Sequence, residues 1–198
     1  CVGRSRAFWR FFYPVLQQTF HHQLRGIDME HFYGAINCVK PSLIRVEADE
    51  LTYNLHIMLR FEIEQDLIEG RTTPDDLPGI WNQKMREYLG IVPERDAEGV
   101  LQDVHWSLGS FGYFPTYTLG NLYSVQFYEQ AKIEIPHLED EIAAGQLMVL
   151  RRWLGQKIHC WGRMFTPDHL AQRVTGSSVK PEPFLAYLEK KYGELYKL

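Results

Sequence analysis

Apolar residues recur along most of the chain at the spacing of a helix face, and the interruptions are prolines, glycines and capping residues. Ala7, Phe8, Phe11, Phe12, Val15, Leu16 and Phe20 trace the first such face, opened by Ser5 as a cap, and Pro14 is expected to kink the helix rather than end it. Residues 29–39 read as a shorter helix carrying Phe32, Ala35 and Ile36, closed by Lys40-Pro41-Ser42. Leu43 to Val46 is β-branched enough for a short extended piece. A long helix is expected from Asp49 or Glu50 to Glu69. It is apolar over much of its circumference, through Leu51, Leu55, Met58, Leu59, Phe61, Ile63, Leu67 and Ile68, and so should be central and buried.

Thr73-Pro74-Asp75-Asp76 starts a further helix through Trp81, Met85 and Tyr88 to Gly90. Residues 93–99 are polar, and Gly109, Gly112 and Pro115 keep the following stretch irregular. Helix returns over 116–133, 137–144, 147–160, from the Thr166-Pro167-Asp168 cap, and over 181–192. The expected fold is all-α, one helical domain over residues 1–198, with at most a small strand element near 43–46 and His105.

Composition narrows the partners. With 198 residues and 45% hydrophobic positions the chain can bury a sizeable core. A net charge of −4 supplies no global basic field, so nucleic acid is not an expected partner. No apolar run reaches membrane-spanning length. Cys1, Cys38 and Cys160 form no CxxC or Cys/His pattern, which fits a reducing, cytoplasmic setting and no structural zinc. The opening Cys1-Val2-Gly3-Arg4 runs straight into a helical pattern, as expected of a piece of something longer.

Candidate chemistry concentrates in two stretches. Histidines supply no metal site: H-E-x-x-H is absent, His21 and His22 are adjacent and diverge, His31 and His56 stand alone, and neither His137 nor His159 has an imidazole one turn on. Arg45, four residues before Asp49, is either half of an ion pair locking a helix end or a guanidinium presented to a substrate carboxylate. Gln102, Asp103, His105 and Trp106, bounded by Gly99 and Gly109, are either a satisfied buried network or one wall of a site. Tyr113, Tyr117 and Tyr123 are either core aromatics or donors to a developing oxyanion.

The same stretches carry a resemblance. Ile44-Arg45-Val46-Glu47-Ala48-Asp49 matches I-R-x-x-A-D, and Gly99-Val100-Leu101-Gln102-Asp103-Val104-His105-Trp106 matches G-x-x-Q-D-x-H-W. Both are characteristic of the carboxypeptidase Taq family of zinc metallocarboxypeptidases. Val2-Gly3-Arg4-Ser5, Tyr53-Asn54-Leu55-His56, Arg60-Phe61-Glu62 and residues 109–126 resemble that family too.

The resemblance implies a mostly helical fold around a long groove, often a homodimer, removing single residues from peptides with a free C-terminus. It also implies that the zinc-binding H-E-x-x-H and H-E-S/G-Q motifs lie upstream of Cys1. This chain would then be the C-terminal part of the enzyme, inactive alone and without bound zinc. Carried onto this sequence, Arg45 grips the substrate carboxylate, and His105 with Tyr113 or Tyr117 faces the oxyanion. Asp49, Gln102, Asp103 and Trp106 support that wall. The alternative is a non-catalytic helical domain for binding or assembly.

Overall fold

Nine α-helices form where the capping and periodicity signals place them, and a computed structural model describes all 198 residues. In chain order they are α1 (Arg6–Thr19), α2 (Met29–Ile36), α3 (Tyr53–Ile68), α4 (Leu77–Leu89), α5 (Pro115–Glu134), α6 (Leu138–Ala143), α7 (Met148–Lys157), α8 (Pro167–Thr175) and α9 (Glu182–Tyr196). No strand is present, and no helix is long and apolar enough to cross a membrane. The fold is all-α.

The caps have identifiable chemistry. Ser5 Oγ accepts the Phe8 amide at 3.1 Å, Asp28 Oδ1 accepts the His31 amide at 2.8 Å, and Thr166 Oγ1 accepts that of His169 at 3.3 Å. Thr73 and Asp76 form a reciprocal capping box around the 3₁₀ turn Pro74–Asp76 that leads into α4. α1 continues through Pro14 to Thr19.

Two expectations change. The β-branched piece at 43–46 is not extended: Arg45–Glu47 is a 3₁₀ turn, with Glu47 N donating to Ile44 O and Ala48 N to Arg45 O, both at 3.1 Å. It has no neighbouring strand to pair with, and Gln102 Oε1 instead takes the Arg45 amide at 2.9 Å. Capture by a side chain 57 residues further on outweighs the weak β propensity. The long helix also begins at Tyr53 rather than at Asp49, because the Asp49 carboxylate accepts the Leu51 and Thr52 amides at 2.9 Å and spends residues 49–52 on the lead-in.

Residue contacts divide the chain into two compact units, one of residues 1–37 with 121–198 and one of residues 38–120. In the first, Ala131, Leu138, Ile142, Leu150, Trp153 and Val174 make the core, flanked by Phe8, Phe127 and Tyr128. In the second, Leu59, Ile63, Trp81, Met85, Leu89 and Val100 are buried between α3 and α4. Each fully buried large side chain there contributes about 1.5–3 kcal/mol of transfer free energy.

α3 buries a polar stripe beside apolar Ile57, Leu59 and Ile63. Its shielded face includes His56, Arg60 and Glu64, whereas apolar Met58, Phe61 and Ile68 are exposed. Residues 56, 60 and 64 are spaced one turn apart, so α3 presents one polar stripe to the interior of its unit.

Candidate functional site

The segment from Gly99 to Tyr117 packs on that stripe. Gly99 starts it where space is tight: a Cβ would stand 3.0 Å from Pro93 Cγ and 3.4 Å from Trp81 Cδ1, so those side chains would have to give way to a larger residue. Gln102 then splints three backbones, accepting from Arg45 N and donating through Nε2 to Leu43 O and Glu98 O, each at 3.0 Å. The I-R-x-x-A-D and G-x-x-Q-D-x-H-W stretches are thus brought together.

Asp103 is the centre of the arrangement. Arg45 Nη2 reaches Oδ1 at 2.6 Å and Arg45 Nε lies 3.2 Å from the same oxygen. From α3, Arg60 Nε donates to Oδ2 at 2.7 Å, and its Nη2 is an ion-pair contact at the same distance without a well-directed hydrogen bond. The remaining arms are also held, Arg45 Nη1 by Tyr53 Oη at 3.0 Å and Arg60 Nη1 by His56 O at 2.7 Å. Aromatic faces enclose both cations: Arg45 lies 4.9 Å from the Tyr117 ring centre, and Arg60 lies 4.5 Å from that of Trp81.

Electrostatics follow from two guanidiniums sharing one carboxylate. Burial works to raise the Asp103 pKa, yet the hydrogen bond from Arg45 and the charges of both arginines prevail and lower it. Burial, aided by Arg45, lowers Arg60 to about 10 against the pull of Asp103. Burial and then the charges of Arg60 and Arg45 push His56 down to about 4, so it is neutral at pH 7. Arg45, Arg60 and Asp103 together carry one positive charge in excess, with the buried Glu64 one turn along α3 from Arg60, and the excess at Arg45 suits an anion.

His105 lies beside this charge. Its Nε2 is 3.0 Å from Tyr117 Oη, its Nδ1 is 3.8 Å from Asp103 Oδ1, and its ring packs 4.4 Å from the Phe114 ring centre. Burial raises the Tyr117 pKa, so the phenol keeps its proton. Tyr113 packs edge-on against Tyr117 at 5.5 Å but is itself exposed. Trp106 Nε1 donates to Glu64 Oε1 at 2.9 Å.

Of the expected residues, Arg45, Gln102, Asp103, His105, Trp106, Tyr113 and Tyr117 belong to one connected constellation. Asp49 stands apart from the Arg45 guanidinium: it accepts Lys40 N at 3.0 Å and Thr52 Oγ1 at 2.9 Å and forms no ion pair with Arg45. Tyr123 lies outside the segment and stacks on Phe127. Tyr53, His56 and Arg60 are matched in the sequence only as flanks of the family resemblance, and Glu64 is not matched at all; none of the four is expected at the site. For His56, Arg60 and Glu64 the signal was available as polar residues four apart along α3.

The profile described as carboxypeptidase Taq (M32) metallopeptidase matches residues 1–192. The chain belongs to the carboxypeptidase Taq (M32) family. Thermostable carboxypeptidase 1 of Thermus thermophilus is 50% identical over 98% of this chain, and carboxypeptidase 1 of Bacillus subtilis is 42% identical over 100% of it. The crystal structure of the M32 carboxypeptidase from Deinococcus radiodurans R1 superposes with a TM-score of 0.96 at 43% identity, covering 100% of this chain and 40% of that one. The chain spans 38% of the length of the Thermus relative and 39% of the Bacillus one.

M32 enzymes are metallopeptidases. The residues of this chain do not fit a metal ion: no three His, Cys, Asp or Glu side chains converge. At the candidate site Asp103, with His105 Nδ1 3.8 Å away, is held by the guanidiniums of Arg45 and Arg60, whose charge opposes a cation.

Proposed function

We propose that this chain is the C-terminal part of an M32 metallocarboxypeptidase that releases single amino acids from the free C-terminus of peptides, and that it supplies the carboxylate-binding and oxyanion side of the site. The metal, zinc on this reading, is held by residues outside 1–198, in a cytoplasmic homodimer. The observation that carries the proposal is the net positive charge at Arg45, Asp103 and Arg60 beside the His105–Tyr117 pair.

A peptide carboxylate is the anion that this charge suits. Arg45 has donors left over after Asp103 and Tyr53, and its planar fork is matched to a carboxylate. Anchoring the terminal carboxylate there allows only the last peptide bond to reach the reacting position, which is what makes an exopeptidase. As the scissile carbonyl becomes tetrahedral, the protonated Tyr117 hydroxyl, oriented by His105 Nε2, can turn to its developing negative charge. Tyr113 stands at the rim and Trp106 and Gln102 hold the wall.

The test is to assay the full-length protein on a blocked dipeptide and on its C-terminal amide, before and after chelation. The expected result is release of one amino acid from the free acid alone, abolished by removing the metal. Equal cleavage of acid and amide, or no release from either, overturns the reading. Residues 1–198 expressed alone are expected to release nothing and to bind no stoichiometric zinc.

A further inference from the structure

Glu64 is an oddity that neither motif includes. It sits on α3 with 3% exposure, and both of its oxygens are taken by neutral donors rather than by a cation. Oε1 accepts the Trp106 indole N–H at 2.9 Å, and Oε2 accepts the Gly112 amide at 3.2 Å. A carboxylate is costly to bury and neutral donors compensate it only in part, so the arrangement needs a reason beyond stability.

The reason lies in which donors it takes. Trp106 directly follows His105, and Gly112 directly precedes Tyr113. Between them the chain turns back on itself, with Ser110 N donating to His105 O at 2.8 Å. Gly112 adopts φ +76°, a conformation that glycine reaches without strain and in which its amide meets Glu64. One side chain on a regular helix therefore pins both ends of the loop that carries His105 and leads into Tyr113, Phe114 and Tyr117. Charge-assisted hydrogen bonds are stronger and shorter than neutral ones, which makes a carboxylate a better pin than an amide.

We propose that Glu64 is a positioning residue for the reaction. Through Trp106 and Gly112 it fixes His105 against Phe114 and Tyr117, and so sets the geometry of the oxyanion side without touching substrate. This inference rests on the carboxypeptidase reading above. Its consequence is kinetic: loss of Glu64 lowers kcat, while KM, set by the carboxylate anchor at Arg45, stays nearly unchanged.

The experiment is steady-state kinetics of the full-length enzyme and its Glu64→Ala and Glu64→Gln variants on one blocked dipeptide, well below the unfolding temperature of each, with bound metal measured. Glu64→Ala is expected to lose roughly 10–100-fold in kcat with KM within about threefold and metal content unchanged, the scale on which misplaced supporting groups act. Glu64→Gln keeps one acceptor and is expected to fall between wild type and Glu64→Ala. If Glu64→Ala does not fold, Glu64→Gln carries the test with an expected loss of roughly fivefold or more in kcat. A variant kcat within about twofold of wild type, or a loss confined to KM, overturns the positioning role. A wild-type enzyme that releases no C-terminal residue overturns instead the carboxypeptidase reading on which this role depends.

Discussion

Asp103 and Arg60 meet at 2.7 Å where water scarcely reaches: the arginine side chain is 0% exposed and the aspartate 12%. Arg60 issues from the middle of α3 and Asp103 from an irregular segment, so this ion pair, with Arg45 on the other carboxylate oxygen, fastens a loop to a helix. Two cations on one anion make the aspartate the member that the cluster can least lose.

Removing the anion should therefore cost more than removing one cation. Asp103→Asn leaves Arg45 and Arg60 facing each other uncompensated, and about 3–5 kcal/mol of stability should be lost, as when one partner of a buried ion pair is deleted. Arg60→Met leaves a neutral Arg45–Asp103 pair and a side chain of similar length, so the loss should be smaller. Urea unfolding of the two variants against wild type checks the order, and an Arg60→Met protein as unstable as Asp103→Asn would contradict the charge count.

The helical architecture was legible because it rests on local chemistry: Ser5, Asp28, Thr73 and Thr166 all start turns as their side chains dictate. The site was legible only where residues adjoin in sequence. Gln102, Asp103, His105 and Trp106 announce themselves as a polar group between glycines, but Arg60 and Glu64 are dispersed in a helix whose apolar residues dominate its pattern. Periodicity marked that helix as central, yet the exposed side is apolar Met58, Phe61 and Ile68. A pattern read from hydrophobicity alone finds the buried Leu59 and Ile63 but not the ionic stripe beside them. The Arg45 turn misled for a related reason, since its conformation is set by Gln102, far away in sequence.

His56 gives the protein a pH dependence of definite sign. Its folded pKa is about 4, against 6.5 for an unperturbed histidine, so between those values the unfolded chain binds a proton that the folded one refuses. Stability from this group is complete above pH 6.5 and is lost as pH falls towards 4, by on the order of 3 kcal/mol over the window. Asp103, whose pKa is lowered from 3.8, adds a further loss only as pH falls below that value. His56→Phe removes the titrating ring from the first window, and its unfolding free energy at pH 7 and pH 4.5 should differ clearly less than that of wild type. An unchanged pH slope would mean that His56 is not the source.

The two tyrosines are separable by experiment. Tyr117 Oη is the group 3.0 Å from His105 Nε2, whereas Tyr113 is exposed and meets the site through its ring. On the proposed function, Tyr117→Phe in the full-length enzyme should lower kcat about 10²-fold, the scale of losing one oxyanion donor. Tyr113→Phe should stay within about threefold of wild type, since only a rim hydroxyl is removed. The reverse order would make Tyr113 the donor.

A last consequence concerns the other unit, where Gly145 closes α6. Its amide donates to Ile142 O at 2.9 Å and that of Gln146 to Glu141 O at 2.8 Å, with Gly145 at φ +80°. A Cβ there would stand 2.5 Å from Phe11 ring carbons, so Gly145→Ala meets two penalties of different origin. The left-handed backbone costs about 1–2 kcal/mol whatever surrounds it. The ring contact is relieved only if Phe11, which is partly exposed, swings away. A double-mutant cycle with Phe11→Ala separates them: removing the ring relieves the clash and leaves the backbone cost. The double variant should then be more stable than the two single losses added together, by about 0.5–2 kcal/mol of coupling. Strict additivity would mean that Phe11 yields freely and that backbone conformation alone demands glycine at this position.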